Sequence, residues 1–393
     1  MSRPWKTKEE RTAEMEQITN QLEEGVKKFF TSETYKDYLK TMSRFHNYSF
    51  NNVLLIALQR PSASLVAGYT TWKNLNRYVL RGEKGIRILA PAPFKQKVEL
   101  EVIDPLTNRV TKETVERTVP VYKPTYVYDV NQTDGEPLTL PQVFDLKGSV
   151  DGYEILREAA ERIAPVPVYY EKIDGEAKGY FSPGDEKIVI QNDLSELQTV
   201  KTLLHEVTHS ILHNKEKMID GPKNSKTKEV EAESAAFTVC THLGLDTSDY
   251  SFPYIGLWAS GMEMIELRKV MDGIRITAAD MIENLDKEVQ EIRKEKTISS
   301  LVNELVEFAV FLDPYDYLDA NHDRETAQKE MKDHLLSDGP DSLISEIQGI
   351  IQDHKDEEIS EFGGKIIYDL VQFTEEFERD PIRKTRQEEV EAR

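Results

Sequence analysis

The stretch LLHEVTHSILH, residues 203–213, constrains what this chain can fold into more than any other. Eight histidines occur in 393 residues, and three of them, His205, His209 and His213, stand here four apart. Ser195-Glu196-Leu197-Gln198 just upstream fits an S-x-x-Q capping box, so a helix is expected to begin there. At about 100° per residue, Val200, Leu204, Val207 and Ile211 form one apolar stripe. The histidines project from the opposite side, with Glu206 offset toward one edge. Such a helix buries one face in a core and presents the other to chemistry.

H-E-x-x-H sets two imidazoles one turn apart, close enough to share a zinc ion through ring nitrogens. The intervening Glu206 is then placed as general base toward an attacking water. A bland alternative is a set of histidines capping a packed surface. A catalytic zinc takes three protein ligands and leaves the fourth position open. A third histidine six residues after His209 would mark one large class of metallopeptidase, but position 215 is lysine, which excludes that class. His213 lies a further turn along the axis and is read as a group that steadies a ligand from behind or serves the packing, not as a ligand itself. The better third ligand lies in KEVEAESAAF, residues 228–237, where Glu229 and Glu233 share a helix face. A glutamate about 20 residues after the second histidine is the gluzincin arrangement. It assigns Glu229 to zinc and Glu233 to steadying a histidine, with the two roles open to exchange. A solvated acidic helix face is the competing reading. Tyr180, on the strand GYFS before the helix, is a packing tyrosine or an oxyanion partner.

Charge is unevenly spread. The whole chain is at −21, yet residues 1–130 hold 21 basic and 15 acidic residues, and within 41–97 nine basic residues face Glu83 alone. Asymmetry of this kind points to a nucleic-acid-binding portion. There Arg44, Arg60, Lys73, Arg77, Arg81, Lys84, Arg87, Lys95 and Lys97 interleave with Tyr48, Phe50, Tyr69, Trp72, Tyr78 and Phe94. Single-stranded nucleic acid is held by cations along the phosphates and aromatic faces under the bases. The alternative puts Phe50, Trp72 and Tyr78 in the core and leaves the cations as plain surface. No apolar run approaches the roughly 20 residues of a membrane span. The charged start MSRPWKTKEER lacks the apolar core of a secretory signal. A single cysteine, Cys240, excludes an internal disulfide, so a cytoplasmic location is expected.

Patterning along the chain suggests an α+β protein in three parts. Residues 1–137 read as a small mixed α+β domain: helices up to Pro61, a short helix, a turn at Arg81–Gly85, a strand Ile86–Leu89 and period-two strands after it. LTLPQVFDLKG (138–148) reads as a linker. Residues 150–260 read as an α/β metallopeptidase domain, with a helix at 151–164, strands VPVYYEKI and KIVIQ, the histidine helix, and a helix over 226–243 ending near Gly244. Residues 262–393 read as a mostly helical acidic region. Its last 93 residues carry 10 basic and 25 acidic side chains.

NYSFNNVLLIALQRPSASLVAGYTTWKNLNRYVLRGEKGIRILAP and the later YDVNQTDGE resemble the N-terminal single-stranded-DNA-binding domain of ArdC-type antirestriction proteins of conjugative mobile elements. The resemblance implies single-stranded DNA as partner, with Asn51, Asn52, Gln59, Trp72, Lys73, Arg77, Arg81 and Lys84 as DNA-facing candidates. GYFSPGDEKIVIQNDLS, TLLHEVTHSILH and EVEAESAAF are similar to the zincin-like domain of the same proteins and to ImmA/IrrE regulatory proteases. That likeness implies Zn2+ held by His205, His209 and Glu229, with Glu206 as base and a peptide or protein substrate. ArdC proteins largely stop after this domain, whereas here an acidic tail with FLDPYDYLDA continues. Three functions follow as expectations: antirestriction by coating single-stranded DNA, regulatory proteolysis of a specific repressor, or a non-catalytic zinc-containing DNA chaperone. The sequence is silent on oligomeric state.

Overall fold

A computed structural model describes residues 32–103, 110–119, 121–138, 150–214, 224–247, 255–260, 262–313 and 323–378, with 10, 13, 15–22, 252, 317 and 318 besides. The expected linker, apart from its first residue, and half of FLDPYDYLDA lie outside these residues. Two compact units divide at Leu285/Asp286, and the expected α+β architecture is present.

In the first unit, helices α1 (Ser32–Arg44) and α2 (Phe50–Gln59) precede strand β1 (Val66–Gly68) and the short helix α3 (Tyr69–Asn74). Strands β2 (Arg77–Val79), β3 (Ile86–Pro91), β4 (Phe94–Ile103), β5 (Val110–Val119), β6 (Tyr122–Asp129) and β7 (Thr133–Gly135) follow. β6 is central, antiparallel to β1 on one side and β3 on the other. β2 pairs with β7, and β4 with β5 in a long hairpin. The helical pattern before Pro61 is interrupted at residues 45–49, where Ser49 opens α2.

Two amide side chains of α2, two turns apart, clamp this sheet. Asn52 donates to the Leu89 carbonyl and accepts from the Leu89 N–H, both at 2.9 Å. Gln59 does the same to Arg87, at 2.8 and 3.0 Å. Each acts as a neighbouring strand would, giving the β3 edge the partners its backbone requires. Asp129 is the other pin. Fully buried, it accepts from the Ser64 and Leu65 N–H groups and from Asn131, and pairs with Arg60 at 3.5 Å. Gln132, also buried, donates to Glu83 and to the Lys84 carbonyl, which fixes the RGEKG turn to the end of β6. Together these bonds explain why YDVNQ closes this part of the fold.

The same unit continues with α4 (Val150–Arg162), strands β8 (Val168–Glu171), β9 (Gly179–Ser182) and β10 (Lys187–Gln191), then α5 (Glu196–Leu212), α6 (Ser225–His242) and α7 (Ile255–Ser260). β10 lies between β8, parallel to it, and β9, antiparallel to it, so β9 is an edge strand. α5 and α6 pack together, and α6 also takes α1: Tyr35 Oη and Ser234 Oγ meet at 2.8 Å in the interior. α6 ends as its sequence suggests. Gly244 follows the cap at φ 72°, the Leu245 N–H reaches the Cys240 carbonyl and the Gly244 N–H that of Thr241, the Schellman pattern that glycine favours.

Helix α8 (Met264–Leu312) supplies residues to both units. In the first, Met271 accepts from Tyr35 and Met281 from Thr208. The second unit adds α9 (Arg324–Ser337), α10 (Pro340–His354) and α11 (Glu357–Phe373) around Leu301, Leu305, Phe308, Leu335, Ile347, Ile366 and Leu370. A Cβ at Gly363 would lie 2.9 Å from Ile351 and 3.0 Å from Ile347, so its absence lets α10 and α11 approach closely.

Candidate metal centre

α5 begins where its capping residue places it, but only half of the capping box forms. Ser195 Oγ accepts from the Gln198 N–H at 3.4 Å. The Gln198 side chain instead donates to Thr202 and accepts from Lys178. Val200, Leu203, Leu204 and Val207 are buried, and this burial turns His205 and His209 toward a cleft of about 430 Å³. β9 forms one wall with Gly179, Tyr180 and Phe181, and α6 contributes Lys228 and Glu229 to the other side.

β9 lies against α5 because Gly179 has no side chain: a Cβ there would fall 2.7 Å from Thr202 Cγ2 and 3.1 Å from the Val189 carbonyl. Gly179→Ala is expected to destabilise the protein by about 1–3 kcal/mol through overpacking. Thermal unfolding checks this, and an unchanged melting temperature would contradict such tight contact.

His205, His209 and Glu229 bring one donor atom each to within 4.8 Å of one another. His205 Nε2 lies 3.7 Å from one Glu229 oxygen, His209 Nε2 3.6 Å from the other, and the two Nε2 atoms are 3.1 Å apart. Two imidazoles and a carboxylate are a donor set suited to a divalent ion such as zinc. Glu229 is half exposed, so the set opens to the cleft.

The electrostatics divide the roles. Burial, followed by the nearby His205, pushes His209 down to about 3. It is therefore neutral near pH 7, as a ligand must be. Burial also depresses His205, but the hydrogen bond to Glu229 and the charges of Glu206, Glu229 and Glu233 outweigh it and hold His205 above the ordinary histidine value. Its contact with His205 keeps Glu229 ionised, below the ordinary carboxylate range. Glu206 is buried, and this raises its pKa; His205 and a hydrogen bond from the Phe181 backbone oppose the rise. A carboxyl shifted toward neutrality beside a metal donor set is suited to proton transfer.

His213 is not among the three donors. Its Nδ1 faces His209 Nδ1 at 2.9 Å, and its Nε2 meets Glu231 at 2.9 Å. Glu233, expected to steady a histidine, acts on His205 through its charge, while the carboxylate that meets His213 at hydrogen-bond distance is Glu231. Sequence reading missed Glu231. The available signal was a glutamate between Val230 and Ala232, on the face of α6 that packs inward.

The DNA-facing candidates separate into two groups. Asn52 and Gln59 are the clamps on β3. Trp72 is fully buried and donates from Nε1 to the Tyr128 carbonyl at 2.9 Å. Arg77 spends its guanidinium on Thr133 and on backbone carbonyls of 133 and 136. In these four the side chain holds the fold together. Lys73, Arg81 and Lys84 are exposed and Asn51 half-buried. Of the aromatic residues, Phe50 joins Trp72 in the core, but Tyr78 is 56% exposed, with Tyr69 at 58% and Phe94 at 51%. The open surface thus carries Tyr69, Lys73, Tyr78, Arg81 and Lys84, on α3, β2 and the turn after it.

Comparison with known proteins bears on the N-terminal part most directly. Residues 6–128 match the family model of the N-terminal domain of anti-restriction factor ArdC. An uncharacterized Bacillus anthracis protein, pXO2-81, is 25% identical over 364 residues, or 85% of this chain and 62% of the relative. The chain thus spans less than two thirds of that relative's length. Crystal structures of the antirestriction protein ArdC from plasmid R388 are also similar. The metal-free form is 20% identical with a TM-score of 0.40, and the Mn(II)-bound form 18% identical with 0.39. Each alignment covers 62% of this chain and 85% of the other. Among the described residues, no helix is long and apolar enough to cross a membrane.

Proposed function

We propose that this chain is an antirestriction protein that binds single-stranded DNA and carries a zinc-dependent peptidase centre, acting in the cytoplasm. The observation that carries the peptidase reading is the convergence of His205, His209 and Glu229 beside the buried Glu206, in an open cleft walled by an edge strand. His205, His209 and Glu229 would hold the zinc ion, which would supply Lewis acidity to a carbonyl oxygen and to water. The chain's own residues do the rest. β9, as an edge strand, offers backbone groups to an extended peptide. Glu206 takes a proton from the attacking water onto its carboxylate and returns it to the departing amine. The openness of the cleft and the exposure of Glu229 favour a catalytic centre over a closed structural clip. They leave both an antirestriction role and regulatory proteolysis of a repressor within reach of the same site.

For DNA, the exposed tyrosines Tyr69 and Tyr78 supply stacking faces, and Lys73, Arg81 and Lys84 track phosphates. The full chain is expected to bind a single-stranded oligonucleotide with strong salt dependence. Lys73→Glu, Arg81→Glu and Lys84→Glu together should reduce the slope of log affinity against log salt by about 2. Fluorescence anisotropy across a salt series measures this. An unchanged slope would move the DNA site elsewhere, and no binding at low salt would remove the DNA reading altogether.

A further inference from the structure

Helix α6 reaches the histidine helix from two sides. Glu229 and Glu231 are two residues apart, about 200° around the helix, so one carboxylate enters the cleft and the other the interior. Glu231 is 1% exposed and His213 4%. Behind the donor set they form a continuous chain of contacts: Glu231 to His213 Nε2 at 2.9 Å, His213 Nδ1 to His209 Nδ1 at 2.9 Å, and His209 Nε2 to His205 Nε2 at 3.1 Å.

We propose that Glu231 and His213 form a polarised relay that fixes the ring tautomer of His209 and presents its Nε2, without a proton, to the metal position. The argument is one of direction. With Glu231 as the acceptor of its 2.9 Å contact, His213 donates from Nε2 and keeps a lone pair on Nδ1. His209 must then donate from Nδ1, and its Nε2 is left as an acceptor. The reverse polarity, with Glu231 protonated or His213 protonated on both nitrogens, places the His209 proton on Nε2. That is the atom 3.6 Å from Glu229, and a protonated nitrogen there ligates nothing. Metal-ligating histidines commonly have the far ring nitrogen fixed by a carboxylate or carbonyl. Here a second imidazole is interposed, and the carboxylate sits two groups away from the ligand atom. His213 and Glu231 are positioning residues, acting through His209.

The inference rests on the metal-centre reading for its purpose, but its geometry can be tested without metal. In metal-free full-length protein labelled with 15N in the histidine rings, long-range proton–nitrogen correlation should show His209 protonated on Nδ1 and His213 on Nε2. In a competition assay with a chromophoric chelator, His213→Phe should weaken zinc binding about 10- to 100-fold. Glu231→Gln, which keeps the shape and an acceptor oxygen but also offers a donor, should fall at the lower end of that range. If His213→Phe does not fold, Glu231→Gln and the spectrum of the unaltered protein still decide the matter. His209 protonated on Nε2, a doubly protonated His213, or zinc affinity within twofold of the unaltered protein in a folded variant would each overturn the relay. The expected tautomers in a protein that fails to bind zinc would instead overturn the metal-centre reading and leave the relay standing.

Discussion

Glu206→Gln should reduce peptide hydrolysis by about 10²- to 10⁴-fold without lowering metal content or the affinity for single-stranded DNA. Glu206 follows the ligand His205 directly but is absent from the three-donor set. Its removal takes away a proton acceptor and no metal donor. The glutamine keeps the volume of a side chain that is 7% exposed and can still accept from the Phe181 backbone, so the fold should persist. Burial holds the glutamate above the ordinary carboxylate range. A base of that kind is effective only once ionised, and hydrolysis should therefore fall as the pH is lowered. A variant with full hydrolytic activity would show that Glu206 is not the base. If activity is lost but protection of DNA against restriction persists, the antirestriction role does not depend on peptide cleavage.

The second large effect concerns a residue that resembles a DNA contact in sequence and is something else in the fold. Trp72→Ala should cost about 3–5 kcal/mol of stability, because a fully buried indole and its hydrogen bond to the Tyr128 carbonyl are removed. Against a total stability on the order of 5–15 kcal/mol for a domain, this is enough to unfold a marginal protein. Tyr78→Ala should behave in the opposite way. Its ring is exposed, so stability should change by no more than about 0.5 kcal/mol, while oligonucleotide binding weakens by about 1–3 kcal/mol. Urea denaturation and anisotropy measured on both variants separate the two cases. A stable Trp72→Ala protein with lost DNA binding would put Trp72 in the interface and contradict its place in the core.

That contrast shows where sequence is legible and where it is not. Local signals transferred well: Ser195 caps α5, Gly244 ends α6, and of the expected stripe Val200, Leu204 and Val207 are buried and Ile211 half-buried. Each depends on chain neighbours within a turn or two. Residues whose roles depend on a distant partner were not readable in the same way. Asn52 and Gln59 look like DNA contacts until β3 is placed against α2, when their amides meet Leu89 and Arg87. Trp72 and Tyr78 have the same composition signal, and only the packing of α3 under β6 makes one core and the other surface. In KEVEAESAAF the glutamates alternate, so helical spacing alone pairs Glu229 with Glu233. The crossing of α6 on α5 decides instead that Glu229 faces the cleft and Glu231 meets His213. The acidic character of residues 301–393 is evident in the sequence, and one of its ion pairs joins Lys365 to Glu304 at 2.9 Å.

Everything proposed for the cleft depends on a divalent ion being held by His205, His209 and Glu229. Elemental analysis of the purified full-length protein, beside a folded His205→Ala variant, tests that most directly. One zinc ion per chain in the unaltered protein and essentially none in the variant is the predicted result. Equal metal content in the two proteins, or none in either after zinc loading, would contradict it.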